Sequence, residues 1–256
     1  MKVSIITATY NSARSIQRAI DSVAMQDYTD IEHIIIDGGS TDETLEIVNK
    51  NNGRIAKIIS EKDNGIYNAL NKGIKLATGD IIGFLNSDDT FTNPHVISRV
   101  VNCFNIKKTD IVYGNIVYQS KDGDIRKTIR YWKSNVYNPG CLRFGWMPPH
   151  PTLYCKREVY EKYGLYNENF RISSDYEFIL RIFQIPEVSK AFLPTIMVKM
   201  EIGGVSNRSL KNIIRKSIED YKAIKINKVG GFQTVLMKNL RKINQFNTLK
   251  NYKLRC

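Results

Sequence analysis

The sequence predicts an α/β protein: a mostly parallel, Rossmann-like sheet flanked by helices, with a basic helical extension at the carboxyl end. Three observations carry that expectation. Short apolar runs alternate with helix-periodic segments through the first hundred residues. Three of the runs stop at polar clusters, Thr7-Ala-Thr-Tyr-Asn11, Asp37-Gly-Gly-Ser40 and Asn86-Ser-Asp-Asp89. Residues 207–256 hold thirteen Lys and Arg against only Glu219 and Asp220. Repeated strand–helix units return the chain to the same sheet edge each time, which makes the strands parallel and puts helices on both faces.

Lys2–Ala8 reads as the first strand. Asn11 or Ser12 can cap a following helix whose Ile16, Ile20 and Val23 share one face. Ile31–Ile36 is a second strand, and Ser40-Thr-Asp-Glu43 has the spacing of a capping box that would start a helix through Leu45 and Val48. Ile55–Ser60 is a third strand. Past Asn64–Gly65 a helix carries Ala69, Leu70, Ile74 and Ala77 and ends at Gly79. Asp80-Ile-Ile-Gly-Phe-Leu-Asn-Ser-Asp-Asp89 then reads as a buried strand running straight into two carboxylates. Asn93–Pro94 opens another helix, and Asp110–Gln119 with Ile125–Tyr131 forms a hairpin around Lys121-Asp-Gly-Asp124. Lys133 to Pro151 is a loop rich in aromatic residues, Gly and Pro. A short strand at Thr152–Cys155 and helices near Lys156–Tyr163 and Ser174–Phe183 follow. Asn207–Asn227 and Phe232–Asn244 are basic, helix-compatible stretches.

At 256 residues the chain can bury a large α/β core. No run approaches the roughly 18–20 apolar residues that cross a bilayer. Met1-Lys-Val-Ser-Ile-Ile enters a strand with no room for a signal peptide, so a cytoplasmic location is expected. Cys103, Cys141, Cys155 and Cys256 form no C-x-x-C pair, which argues against a zinc site or a disulfide framework. Of the net charge of +13, residues 207–256 supply +11. There the basic residues are interleaved with Leu210, Ile213, Ile214, Ile218, Tyr221, Ile224, Phe232, Val235, Leu236 and Leu240. That pattern suits an anionic membrane surface, or a helix pair packed on the domain with its lysines outward. Nucleic acid is not expected as a partner, because no nucleic-acid motif accompanies the charge.

Asp88 and Asp89 repel one another and are costly to desolvate, which points to a compensating divalent metal with oxygen ligands. In a parallel sheet the three polar strand ends share one edge, where open α/β sheets bind ligands. Asp37 can accept hydrogen bonds from a base or ribose, with its glycines permitting close approach, or can cap the next helix together with Ser40 and Thr41. Three such ends on one edge indicate a nucleotide site.

Val3-Ser-Ile-Ile-Thr-Ala-Thr-Tyr-Asn11, Ile36-Asp-Gly-Gly-Ser-Thr-Asp42, Asn71-Lys-Gly73 followed by Ala77-Thr-Gly-Asp80, and Phe84-Leu-Asn-Ser-Asp-Asp89 resemble the family 2 glycosyltransferases of the GT-A fold. The resemblance is strong over residues 1–90 and weaker over 140–185. It implies a nucleotide-sugar-binding half at 1–100, an acceptor-binding half of the same domain at 101–206, and a basic helical tail at 207–256. It implies that Thr7, Ala8 and Tyr10 line the base pocket, largely through backbone contacts, that Asp37 binds base or ribose, and that Lys62, Asp63 and Gly65 lie beside the nucleotide. Asn86 and Asp88 would also contact the nucleotide, and Asp88 with Asp89 would hold Mn2+ or Mg2+ against the donor diphosphate. Asp175, in Arg171-Ile-Ser-Ser-Asp175, matches the residue that deprotonates the acceptor hydroxyl. The bland reading of Asp175 is that it only favours a helix amino terminus. Glu177 lies about 200° further round that helix and should face elsewhere.

Two departures stand out. Asn86 replaces a further aspartate of many relatives, and Ser174 replaces the usual glutamate before the base. His150 can reach the metal, the diphosphate or an acceptor sugar, or pack within its loop; Trp146 can stack on a sugar or fill the core. The implied activity is inverting, metal-dependent transfer of one sugar, a hexose or N-acetylhexosamine, from a nucleotide-sugar donor. A UDP-sugar is the expected donor, and a lipid-linked glycan at the inner face of the membrane is the expected acceptor, in surface polysaccharide assembly. The Gln-x-x-Arg-Trp motif of processive synthases is missing. The alternative is a non-catalytic nucleotide- or glycan-binding protein with a degenerate site. A sugar-nucleotide pyrophosphorylase would need a basic Gly-rich loop, which Thr7–Ser12 does not offer.

Overall fold

In the computed structural model, which describes residues 1–122, 125–201 and 210–253, the first half of the chain is a run of strand–helix units. In chain order these are β1 (Val3–Thr9), α1 (Ile16–Ala24), β2 (Ile31–Asp37), α2 (Thr44–Lys50), β3 (Lys57–Ser60), α3 (Ile66–Leu76) and β4 (Ile81–Phe84). Then come β5 (Thr90–Phe91), α4 (Val96–Lys107), β6 (Ile111–Asp122), β7 (Ile125–Trp132), β8 (Tyr154–Lys156), α5 (Arg157–Tyr163), α6 (Ser174–Phe183) and β9 (Lys190–Glu201). Two helices close the chain, α7 (Leu210–Ile226) and α8 (Phe232–Lys253). Among the described residues the strands form one sheet ordered β3-β2-β1-β4-β8-β6-β9-β5, with β7 paired to β6. The first four strands are parallel, and Thr9 stands opposite Asp37, which stands opposite Ser60. The three strand ends are therefore level at one edge.

Alternation along β1 divides the core. Val3 and Ile5 pack with α1 and α4 on one face, while Ile6 packs with α3 on the other. Gly73 is what lets α3 lie against β1, because a Cβ there would stand 2.4 Å from the Ile6 side chain. The α3 face of the sheet also buries α5, α6 and, from the carboxyl-terminal helices, Ala223, Ile224 and Val235. The basic helical extension is thus packed into the same core as the sheet.

The structure departs from the sequence reading at four places. β4 stops at Phe84, and Asp88–Asp89 sit on the turn before β5, where the Asp89 N–H donates to the Asn86 carbonyl. The capping box at Ser40–Glu43 does not form: the Ser40 hydroxyl turns to Asp37, and α2 starts at Thr44. The buried Asp37 charge outcompetes a helix end that water can satisfy. β9 was not expected, because Pro194 interrupts its apolar pattern; it sits where the β6–β9 register jumps from Tyr113↔Phe192 to Asn115↔Ile196. The hairpin is present as β6 and β7, longer than expected, and Gly123–Asp124 of its turn lie outside the described residues.

Glu32, 4% exposed, pins the opposite edge of the sheet. It accepts hydrogen bonds from the Ser4 hydroxyl (2.7 Å) and from the Thr78 N–H (2.8 Å) and hydroxyl (2.9 Å). Burial opposes its ionisation, but these hydrogen bonds and Lys2 prevail and hold its pKa at about 2. The stability this contributes is fully present above about pH 4.5, the ordinary glutamate value, and is lost as the pH falls through about 2. Urea unfolding of wild type and Glu32→Gln should differ by about 2–3 kcal/mol at neutral pH and converge as the pH approaches the folded-state value. Parallel profiles would show that the carboxylate is not held this way.

Candidate active site

At the end of β2 the Asp37 side chain is fully buried. One oxygen accepts the N–H groups of Gly39 (3.1 Å) and Ser40 (3.0 Å) and the Ser60 hydroxyl (2.7 Å), and the other takes the Ser40 hydroxyl. In this arrangement the Asp37 carboxylate organises the loop that follows β2. Thr7 is likewise interior, with its hydroxyl 3.0 Å from Nε2 of His33, a ring that burial keeps neutral with a pKa of about 4. The rim of the pocket falls to half-buried Ala8 and to Tyr10, which is 62% exposed. Gly38 allows the next contact: a Cβ there would stand 3.1 Å from Asp63 and 3.5 Å from the Tyr10 ring. Lys72 bridges Asp63 and Glu61 and so fixes their loop. Lys62 is exposed, and Gly65, at φ +116°, makes the turn into α3.

The acidic turn lies on the same edge, after β4. Asn86 donates to one oxygen of Asp89 (2.7 Å); the other is buried with no hydrogen-bond partner. Burial first, and the neighbouring Asp88 second, hold the Asp89 carboxyl well above the usual carboxylate range. Half-buried Asp88 borders a cleft of about 260 Å³ with Arg18, Thr90, Gln119, Lys199 and Glu201. This donor set fits a divalent cation. A cation supplies the positive charge that the orphaned Asp89 oxygen lacks, and Mg2+ commonly takes only one or two carboxylates plus phosphate and water oxygens. Among the described residues no group of three or more metal-type side chains gathers.

Asp175 occupies the first turn of α6, held from two sides. From α3, the Tyr67 hydroxyl lies 2.6 Å from the Ile172 carbonyl and 3.0 Å from Asp175 Oδ1, its one proton shared between them. From α7, the Glu219 carboxylate accepts the N–H groups of Arg171 (3.2 Å), Ile172 (2.8 Å) and Ser173 (3.0 Å). These are unpaired donors at a helix amino terminus, where a negative charge is favourable. Asn71 exchanges hydrogen bonds with the backbone of Tyr166, tying the preceding loop to α3. Glu177 faces away and pairs with Arg181.

Packing links the strand before the acidic turn to Asp175: Phe84 lies against Tyr166, and Tyr166 against the Tyr67 that reaches Asp175. Burial, against the opposing pull of Arg130, with smaller contributions from Asp89 and Asp175, pushes the Tyr118 phenol up to about 12. Arg130 lies over the same ring, 4.4 Å from its centroid. His150 stacks on Phe84, at the end of β4, and its Nε2 is 2.7 Å from the Tyr166 hydroxyl. Burial pushes His150 down, and the Asp175 charge partly restores it. His150 therefore sits between the end of β4 and Tyr166. Trp146 does not reach the site: it is 4% exposed, packs against Tyr113, Tyr137 and Phe183, and donates to Asn135 (2.6 Å). It fills the core. Sequence reasoning missed Tyr67, Tyr118, Arg130 and Glu219; the available signal was that Glu219 and Asp220 are the only acids in a basic segment.

The model of glycosyl transferase family 2 matches residues 4–164. The chain belongs to that family. The matched span ends before α6. A PGL/p-HBAD biosynthesis glycosyltransferase of Mycobacterium bovis is 32% identical over 209 residues, covering 80% of this chain and 78% of that protein. An uncharacterized glycosyltransferase of Nostoc is 34% identical over 176 residues, covering 63% of this chain and 53% of its own length. Among solved structures, Staphylococcus aureus TarS superposes with a TM-score of 0.68 at 20% identity over 90% of this chain, which spans 39% of TarS. The mannosyltransferase PcManGT from Pyrobaculum calidifontis, in complex with GDP-Man and Mn2+, superposes with a TM-score of 0.65 at 19% identity, covering 93% and 68% of the two chains. The fold of this family 2 glycosyltransferase is GT-A.

If Glu219 is what fixes the start of α6, Glu219→Gln should lower stability in urea unfolding by about 1–3 kcal/mol, because a donor then faces backbone donors. Glu46→Gln, at an exposed pair with Lys50, should leave stability essentially unchanged. Equal small effects would mean that packing alone holds the helix.

Proposed function

We propose that this family 2 glycosyltransferase moves a single sugar, with inversion, from a uridine-diphosphate sugar to a hydroxyl of a lipid-linked glycan. The observation that carries this reading is that Phe84, at the end of the strand leading to the acidic turn, packs on Tyr166, and Tyr166 packs on the Tyr67 whose hydroxyl reaches Asp175, so a donor diphosphate and an acceptor hydroxyl can share one cleft. TarS binds UDP-GlcNAc, which favours a uridine nucleotide and an N-acetylhexosamine or hexose donor.

Asp175 takes the proton of the acceptor hydroxyl while that oxygen attacks the anomeric carbon and the bond to the diphosphate breaks. Tyr67 keeps the carboxylate aimed, and its burial keeps the phenol itself protonated. Tyr10 and the Glu61–Gly65 loop flank the nucleotide. Asp88 and Asp89 would hold Mn2+ or Mg2+, which when bound offsets negative charge building on the departing diphosphate. Neutral His150, locked between Phe84 and Tyr166, shapes the wall beside the reacting sugar.

The carboxyl-terminal helices supply the membrane contact. Both of their acids are turned inward, Glu219 to the backbone before α6 and Asp220 to Lys238. Outward, Phe232, Leu236, Leu240 and Ile243 form an exposed stripe at helical spacing on α8 among basic residues. This suits the surface of an anionic bilayer; no helix among the described residues is long and apolar enough to cross one.

Asp175→Asn should lower turnover by about 10²–10⁴-fold, measured as nucleoside diphosphate release, while calorimetric donor affinity stays within about twofold. Near-normal turnover would remove Asp175 as the base. Wild-type protein should sediment with phosphatidylglycerol vesicles at moderate salt, and Phe232→Ser with Leu236→Ser should weaken this several-fold. Indifference to vesicles would remove the membrane from the reading.

A further inference from the structure

A second set of charges lies next to the base and has no part in the reaction described above. The pair at its floor is Lys238 with Asp220, 2.8 Å apart and both nearly inaccessible, with the lysine over the Tyr176 ring. One turn further along α8 is Lys242, and one turn back along α7 is Lys216. The Lys238–Asp220 pair and the short connection between the helices set them antiparallel, and helical spacing then puts Lys216 and Lys242 on the faces turned to one another. Beyond Lys242 on that face of α8 is Gln245, which accepts from the Arg130 Nε (2.6 Å) and ties the guanidinium of β7 to α8.

Two half-buried lysines on facing helix surfaces are stabilised when an anion joins them. Lys242 records the cost: burial, then Lys216 and Lys238, push it down to about 8. Asp220 already serves Lys238. The position favours the acceptor over the donor, because Lys238 lies over the ring of Tyr176, the residue that follows Asp175. An acceptor whose hydroxyl faces Asp175 would extend over this cluster. The planar fork of an arginine beside two ammonium groups matches a phosphate better than a single carboxylate.

We propose that Arg130, Lys216 and Lys242, seated on the Lys238–Asp220 pair, form a receptor for a phosphate group carried by the acceptor. This rests on the transferase reading and adds the chemistry of the acceptor to it: a phosphate or diphosphate ester close to the hydroxyl that is glycosylated.

Calorimetry on the full-length protein tests it, with inorganic pyrophosphate in metal-free buffer as one probe and UDP with Mn2+ as the other. Lys242→Met and Lys216→Met should each weaken pyrophosphate roughly tenfold, leave UDP within about twofold, and leave phosphatidylglycerol vesicle binding largely intact. Both variants should melt at or above the wild-type temperature in phosphate-free buffer, since a repulsion is removed, and pyrophosphate should raise only the wild-type melting point. Pyrophosphate binding indifferent to both substitutions would overturn the proposal. UDP affinity falling in step would assign the cluster to the donor, and vesicle binding falling in step would assign it to lipid headgroups; either overturns it. No UDP binding by wild-type protein would instead overturn the transferase reading, and the acceptor assignment with it.

Discussion

The grip of Glu219 on three consecutive backbone N–H groups is the contact on which the candidate site depends. Asp175 lies in the first turn of α6, just past that grip, and Tyr67 reaches it from α3 on the other side. One partner comes from the parallel half of the sheet and the other from the last quarter of the chain. Neither half of the molecule alone would fix Asp175. The carboxyl-terminal helices are therefore part of what positions this residue, and the surface they show outward is a separate matter from the contacts they make inward.

The buried acids of this basic chain explain themselves by their partners. Glu32 is bound by Ser4 and Thr78, Asp37 by its own loop and Ser60, Glu177 by Arg181, and Asp220 by Lys238. Each repays the cost of desolvation with hydrogen bonds or an opposite charge. Asp89 differs: one oxygen has Asn86 and the other has no partner, with Asp88 alongside. That imbalance is located at the strand edge where α/β sheets bind ligands. Substitution of Asn86 for a third acid makes sense here, since its amide satisfies one Asp89 oxygen that another carboxylate would repel.

Much of this was legible from residue order. The parallel half followed from apolar runs punctuated by Gly, Asn and Asp, and the level strand ends placed three polar clusters together before any coordinates. Local cues were less reliable where tertiary contacts competed: Ser40 abandoned the helix for Asp37, and Pro194 hid β9 by sitting at its bulge. Side-chain direction was the chief blind spot. Trp146 lies in an aromatic-rich loop yet packs in the core, and the Asp37 carboxylate is engaged by its own loop and Ser60. Tyr67 read only as part of an amphipathic helix, because its bond to Asp175 spans more than a hundred residues of sequence.

The central claim is that the acidic turn and Asp175 face one reaction space. Anomalous diffraction from crystals grown with Mn2+ and UDP addresses it directly. The account predicts one manganese peak bonded to Asp88 or Asp89 and to the diphosphate, with the open side of the diphosphate toward Asp175. Manganese and nucleotide bound away from that turn, or on the far side of it from Asp175, would contradict it.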